Sequence, residues 1–429
     1  MEKNFSEKLR VLLRTGFFHI FSASVLNKII VFLSNIIVIR LISKVEFGAY
    51  TYALNGLSFA LLISGCGLVT GTFQLCSEEC DKDEKKQIYK YGCTWGIRIN
   101  IVLSILILFF ALIFKLPIEG SNELLVLMSL NPIFLIVFDF QQIYLRSNFK
   151  NKEYSYGTTI NTILLMILSI LGSCLYAARG LIIGRYIAYI LTALIMITIF
   201  KAPVCLNKAS LDDMRKTALW KISIISMSNN GIAELLYLLD IFFLGLIITN
   251  EELVASYKVA TVIPNACIFI PMAIVTYIYP YFAANRLDRD WCRSHYYQLL
   301  KSLIIINAII SLVLCVFSKQ IIILVYGEKY LDCLTCFRIL SIGYFFSGTF
   351  RVISGNLLVT QRKLKFNLFV NIICGIINII GDLILIPKLY SIGAAITTFV
   401  VILISGLIST IYYLYLIIIL LIFPVLPAL

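Results

Sequence analysis

Eleven charged side chains sit inside stretches otherwise built from Ile, Leu, Val, Phe and Ala. Seven are basic (Lys28, Arg40, Arg98, Arg185, Lys258, Arg338, Arg351) and four acidic (Asp139, Glu234, Asp240, Asp382), a balance of +3. A charge at mid-bilayer costs about 2.5–3.5 kcal/mol on insertion scales, so residues kept there mark a ligand or ion pathway. An excess of guanidinium and ammonium groups in a low-dielectric cleft attracts anions. It holds phosphate best, arginine through its planar fork and lysine as a point charge.

Depth sorts these residues into expected partnerships. Arg98 and Asp139 share a level in adjacent spans, as do Arg338 and Asp382, and both read as structural pairs. Lys258 and Asp240 come from consecutive antiparallel spans at similar depth, which also fits a pair. Arg351 has no acid at its level and reads as a ligand contact. Arg40 and Arg185 lie within a turn or two of span ends, where snorkelling to the headgroups and ligand contact are equally served. Lys28 and Glu234 sit too far from water to snorkel; they face a cavity or form a static bridge. Ser24, Asn35, Asn230 and Tyr237 extend a polar stripe beside them at helical spacing.

The elements that must position these groups are twelve apolar stretches, near 16–42, 47–75, 93–115, 122–147, 154–176, 181–200, 220–248, 253–284, 299–318, 332–359, 366–387 and 391–422. Each has the roughly 20 residues a membrane-crossing helix needs. Hydrophobic residues make up 60% of the 429, and mean hydropathy is +0.94. That excludes an ordinary soluble domain. The fold class is therefore an all-α polytopic membrane protein. Pro264 and Pro271 interrupt the eighth span, and Gly65, Gly67 and Gly71 thin the second.

Of 36 basic residues, 23 fall on the side holding the N-terminal tail and even-numbered connections, and 6 on the other. The positive-inside rule then places both termini in the cytoplasm. Topology accounts for the net charge of +13, so nucleic acid is not an expected partner. The first apolar run, Gly16 to Ile42, is too long for a signal-peptide core and reads as a retained span. The only CxxC, Cys333 to Cys336, has no second pair and no nearby histidine, so no metal site is expected. His19 and His295 lie near span ends, which leaves no candidate catalytic histidine within the membrane, and no enzymatic activity is expected.

Ser43 to Ala49, between the first two spans, echoes Thr249 to Ala255, between the seventh and eighth, and on that register Lys28 corresponds to Glu234. Asn161 with Asn371, and Gly180 with Gly393, are further echoes. The expected organisation is an N-terminal lobe over 1–210 and a C-terminal lobe over 211–429. These are two parallel six-helix bundles around a central cleft, as in an alternating-access carrier.

Arg40-Leu-Ile-Ser-Lys-Val-Glu-Phe-Gly-Ala-Tyr50, then Gly65-Cys-Gly-Leu68, resembles the opening of polysaccharide-repeat-unit flippases in the multidrug/oligosaccharidyl-lipid/polysaccharide exporter superfamily. Tyr326-Gly-Glu-Lys-Tyr330 is similar to that family's short periplasmic element. Asn371, Asn378 and Gly393-Ala-Ala-Ile-Thr397 resemble its C-terminal signature. The resemblance, running from about residue 10 to 420, implies transport of undecaprenyl-pyrophosphate-linked oligosaccharide from the cytoplasmic to the periplasmic leaflet of a bacterial inner membrane. Lys28, Lys258 and Arg351, with Arg40 and Arg185, would hold the pyrophosphate. Glu234 departs from the family's pattern; it and Asp240 are expected to be coupling sites for H+ or Na+, or counter-ions, with no other cofactor. Membrane lipid and other polysaccharide-assembly proteins are the implied partners. The competing reading is a cation-coupled multidrug antiporter of the same superfamily.

Overall fold

The computed structural model describes residues 17–78, 81–206 and 209–422, and every regular element among them is helical. The basic tail (Lys3, Lys8, Arg10, Arg14) and Lys208 lie outside the described residues. In chain order the helices are α1 (Phe17–Leu41), α2 (Lys44–Leu61), α3 (Leu68–Ser77), α4 (Lys82–Ile113), α5 (Ser121–Met128), α6 (Asn131–Ser147), α7 (Asn151–Thr198) and α8 (Asp213–Ile248). They continue as α9 (Glu251–Cys267), α10 (Phe269–Ala284), α11 (Arg289–Val316), α12 (Ser318–Val325), α13 (Leu334–Phe346), α14 (Val352–Thr360), α15 (Leu364–Leu389) and α16 (Ser391–Ile422).

Among the described residues nine helical segments are long and apolar enough to cross a membrane, ten with α2 and α3 taken as one span bent by 41°. The 48-residue α7 is two helices folded back at Tyr176 and Ala177, which leave helical geometry. The 36-residue α8, which ends in the shorter apolar stretch Tyr237–Ile248, is long enough for the expected seventh span. Twelve spans are thus accounted for, and the protein is a multi-pass, all-helical membrane protein.

The bend between α2 and α3 has a visible cause. Gly65, Cys66 and Gly67 all take positive φ, and Asn100 of α4 braces the break. Its Oδ1 accepts from the Gly65 N–H at 2.7 Å, and its Nδ2 donates to Ser64 Oγ at 2.9 Å and the Pro132 carbonyl at 2.8 Å. Span eight breaks at Ile268, between α9 and α10, and Pro271 falls in the first turn of α10, where a missing N–H is tolerated.

The chain divides into two compact units within α8, between Leu235 and Leu236. The first half of α8 stays with the first unit because glycines let it approach closely. A Cβ at Gly67 would lie 2.2 Å from the Ser223 carbonyl oxygen, and one at Gly71 2.1 Å from Ser223 Oγ. Without a hydrophobic drive between helices in lipid, such small-residue contacts hold bundles together.

Each unit also carries a tight helical hairpin. In the first, Gly172 meets Gly180 and Leu168 meets Gly184; in the second, Leu385 meets Gly393 and Gly381 meets Thr397. The offset between the hairpins is constant, so Gly180 and Gly393 correspond as the sequence echo holds. The echo of Asn161 with Asn371 does not follow this register, which places Cys374 opposite Asn161. A second echo also shifts. Ser43 caps α2 by accepting from Glu46 N–H, and Asn250 caps α9 by accepting from Leu253 N–H. Ser43 therefore matches Asn250, not Thr249, and Lys28 falls opposite Leu235, not Glu234. One residue is about 100° around a helix.

Candidate functional site

In the second unit, one face of each of several helices opens on a cavity of about 160 Å³. α9 contributes Tyr257, Lys258 and Thr261; the span from α13 to α14 contributes Tyr344, Ser347 and Arg351; α8 contributes Tyr237 and Asp240; Asn378 and Thr398 come from α15 and α16. The positions 344, 347 and 351 recur at helical spacing, which places them on one face.

Asp240 is 8% exposed and saturated with donors. The Tyr257 hydroxyl donates to its Oδ2 at 2.5 Å, Thr398 Oγ1 donates to the same oxygen, and Asn378 Nδ2 donates to Oδ1 at 2.9 Å. Asp382, one turn after Asn378 on α15, is fully buried, and its carboxyl lies against that of Asp240. Among the described residues neither Asp382 oxygen makes a hydrogen bond of full geometry, although the Thr397 hydroxyl approaches its carboxyl, and Asn378 Oδ1 meets no donor. These under-satisfied acceptor oxygens, beside a second carboxylate, form a setting that a small cation or a proton satisfies.

The cationic side of the cavity is equally unmatched. Among the described residues neither Lys258 Nζ nor the Arg351 guanidinium meets a carboxylate; the latter lies over the Tyr237 ring, 5.8 Å from its centroid. The expected Lys258–Asp240 pair is not formed, because Tyr257, Asn378 and Thr398 occupy the Asp240 oxygens. Arg338 does not pair with Asp382 either: its Nε donates to Ser318 Oγ at 2.8 Å. Arg98 stacks on Trp95 at 5.4 Å in place of pairing with Asp139.

Arg351 ends a π-helical turn, Ser347–Arg351, in which the Val352 N–H reaches back to the Ser347 carbonyl. Such turns often sit at functional sites. Asn307 of α11, fully buried, spans this turn: its Oδ1 accepts from the Tyr344 hydroxyl at 2.8 Å, and its Nδ2 donates to Thr349 Oγ1 at 3.1 Å. Gly348 permits the approach, since a Cβ there would lie 3.0 Å from Asn307 Nδ2. Replacing Asn307 with Leu strands both hydroxyl partners, at about 1–3 kcal/mol for each buried group left unsatisfied. The expected result is a lower thermal midpoint, with Asn307→Gln recovering part of it.

Three of the residues singled out in the sequence, Asp240, Lys258 and Arg351, are thus brought to one cavity. Lys28 and Arg40 are exposed on α1, and Glu234 is exposed on α8, all in the first unit. Arg185, also in the first unit, turns inward instead of snorkelling, its Nη1 donating to the Tyr50 hydroxyl at 2.7 Å. Tyr257, Asn378, Thr398 and Asn307 were not anticipated as site residues. Polar uncharged side chains are common in membrane bundles, and only their convergence on a buried acid sets these apart.

The fold is that of known transporters. A solved structure of the lipid II flippase MurJ in an inward closed conformation matches with a TM-score of 0.73 at 17% identity, covering 92% of this chain and 86% of that one. An inward-facing multidrug resistance MATE family transporter of the MOP superfamily also matches at 0.73, with 13% identity, covering 91% and 95%. A Klebsiella pneumoniae protein described as an uncharacterized membrane protein in the cps region is 23% identical over 383 residues, 84% of this chain and 72% of that protein. The family model for polysaccharide biosynthesis protein matches residues 37–335, and with most of the chain covered by it, the protein belongs to that family.

Proposed function

We propose that this protein is a flippase that moves an undecaprenyl-pyrophosphate-linked oligosaccharide from the cytoplasmic to the outer leaflet of the bacterial cytoplasmic membrane, for assembly of a surface polysaccharide. The observation that carries the reading is the pair Lys258 and Arg351, two cations without acid partners on one buried cavity. Arg351 grips a phosphate through its fork and Lys258 supplies a second charge, while the lipid tail stays in the bilayer. The cps-region relative and the flippase fold of MurJ support the same direction. Lys28, Arg40 and Arg185 add cationic charge within the first unit, both termini face the cytoplasm, and no bond is made or broken in the cycle. Other polysaccharide-assembly proteins take up the delivered cargo.

Asp240 and Asp382, with Asn378, fit a coupling ion, H+ or Na+. Bound there, it supplies the charge that biases the population of one conformational state over another. Glu234 is exposed and belongs to the first unit.

The buried acids favour one alternative, a cation-coupled multidrug antiporter whose acids hold an organic cation. Proteoliposomes offered both a fluorescent polyprenyl-pyrophosphate oligosaccharide and a cationic dye separate the two. Lipid-oligosaccharide movement that Lys258→Gln removes is the expected result. Dye movement alone, dependent on Asp240, would transfer the protein to the antiporter reading.

A further inference from the structure

We infer that the acid cluster and the cationic cavity are energetically linked with positive sign, so that neutralising Asp240 and Asp382 tightens the hold of Lys258 and Arg351 on a diphosphate. This rests on the proposed reading of the cavity as a diphosphate site and adds how that site is regulated.

The two charge systems share walls as well as space. Asp240, Lys258 and Arg351 line one cavity of about 160 Å³. Consecutive residues of α9 serve both, Tyr257 donating to the Asp240 carboxylate and Lys258 facing the cavity. On α8, Tyr237 lies under the Arg351 guanidinium one turn before Asp240. Asp382 backs Asp240 from α15, and α16 contributes Thr398, which carries no charge.

In a small, partly enclosed cavity, solvent screens the field between these groups less than at an exposed surface. A negative charge on the acid cluster therefore repels an incoming diphosphate and competes with it for the two cations. A cation bound among the acids ends that competition. By thermodynamic reciprocity, a bound diphosphate strengthens cation binding by the same factor, and couplings of this kind run from about 5-fold to 150-fold. Cation and diphosphate thus load together in the same unit, whereas binding of an organic cation at the acids would exclude the coupling ion.

Calorimetric titration of the full chain in detergent with inorganic pyrophosphate tests the sign. The double variant Asp240→Asn/Asp382→Asn is expected to bind about tenfold more tightly than wild type; unchanged or weaker binding by a folded variant overturns the linkage. A second measurement needs no variant. At fixed pH and ionic strength, the rise in melting temperature that Na+ gives wild type is expected to be larger with pyrophosphate present. An equal or smaller rise overturns the linkage. Failure of wild type to bind pyrophosphate at all sinks the diphosphate reading itself, and binding that ignores the acids removes the linkage alone.

Discussion

Arg351→Gln is expected to lower lipid-oligosaccharide translocation, the proposed activity, by about a hundredfold or more while leaving membrane abundance near wild type. Removing one partner from a desolvated, hydrogen-bonded charge pair costs about 2–5 kcal/mol, and each 1.4 kcal/mol is tenfold in affinity. Here the loss falls on the cargo-bound state, because in the cavity Arg351 has no acid to abandon: its observed neighbour is the Tyr237 ring. Arg351→Lys keeps the charge but loses the fork, so its rate is expected between the two. Flipping measured in proteoliposomes at matched protein density checks the series. Arg98→Gln is the control, since Arg98 is exposed and stacked on Trp95, and it should stay within a few-fold of wild type. Wild-type rates in Arg351→Gln would remove the cavity from the mechanism.

Gly180→Leu is expected to eliminate the folded protein. A Cβ at Gly180 would lie 1.9 Å from the Gly172 carbonyl oxygen and 2.6 Å from its carbon. The obstacle is backbone within the hairpin, so no rotamer relieves it and the two arms of α7 must separate. Overpacking in a well-packed core costs about 1–3 kcal/mol where neighbours give way, and more where they cannot. Even Gly180→Ala should therefore lower the unfolding midpoint sharply. Gly56→Ala and Gly355→Ala provide the contrast. Nothing lies within 4 Å of a Cβ at either position, and in a helix interior Ala is favoured over Gly by about 0.5–1 kcal/mol. Denaturant titration of the purified variants, read by helical circular dichroism, distinguishes the two groups. Equal midpoints would mean the hairpins are looser than their glycine contacts imply.

Spans and their charges were legible in the sequence because both follow from one-dimensional quantities, hydropathy and distance along the helix. Lys258, Arg351 and Asp240 were found that way. Pairing failed for a geometric reason: depth says nothing of azimuth. Arg98 and Asp139 share a level, yet Arg98 points to Trp95; Arg338 shares a level with Asp382, yet turns to Ser318. The identity-based alignment of the two halves slipped by one residue at Ser43 because a helix cap is defined by its hydrogen bond, and Ser and Asn fill that role interchangeably. The oxygens around Asp240 were invisible for a related reason. Tyr257, Asn378 and Thr398 lie on three different helices, and nothing in their separate sequence contexts announces a common target.

The matched hairpins show where the two halves have diverged. At the offset that relates Gly180 to Gly393, Arg185 stands where the second unit has Thr398, and Ser169 stands where it has Asp382. One frame thus presents a guanidinium bound to Tyr50 in the first half and a hydroxyl bound to a buried acid in the second. The two hairpins share the levels at which their arms touch, but glycine itself only at Gly180 and Gly393: Gly172 stands at the level of Leu385, Gly184 at that of Thr397 and Leu168 at that of Gly381. At positions 169/382 and 185/398, charge and neutrality are exchanged in opposite senses. The charge that each half presents can therefore change by a pair of substitutions, without disturbing the contacts that close its hairpin.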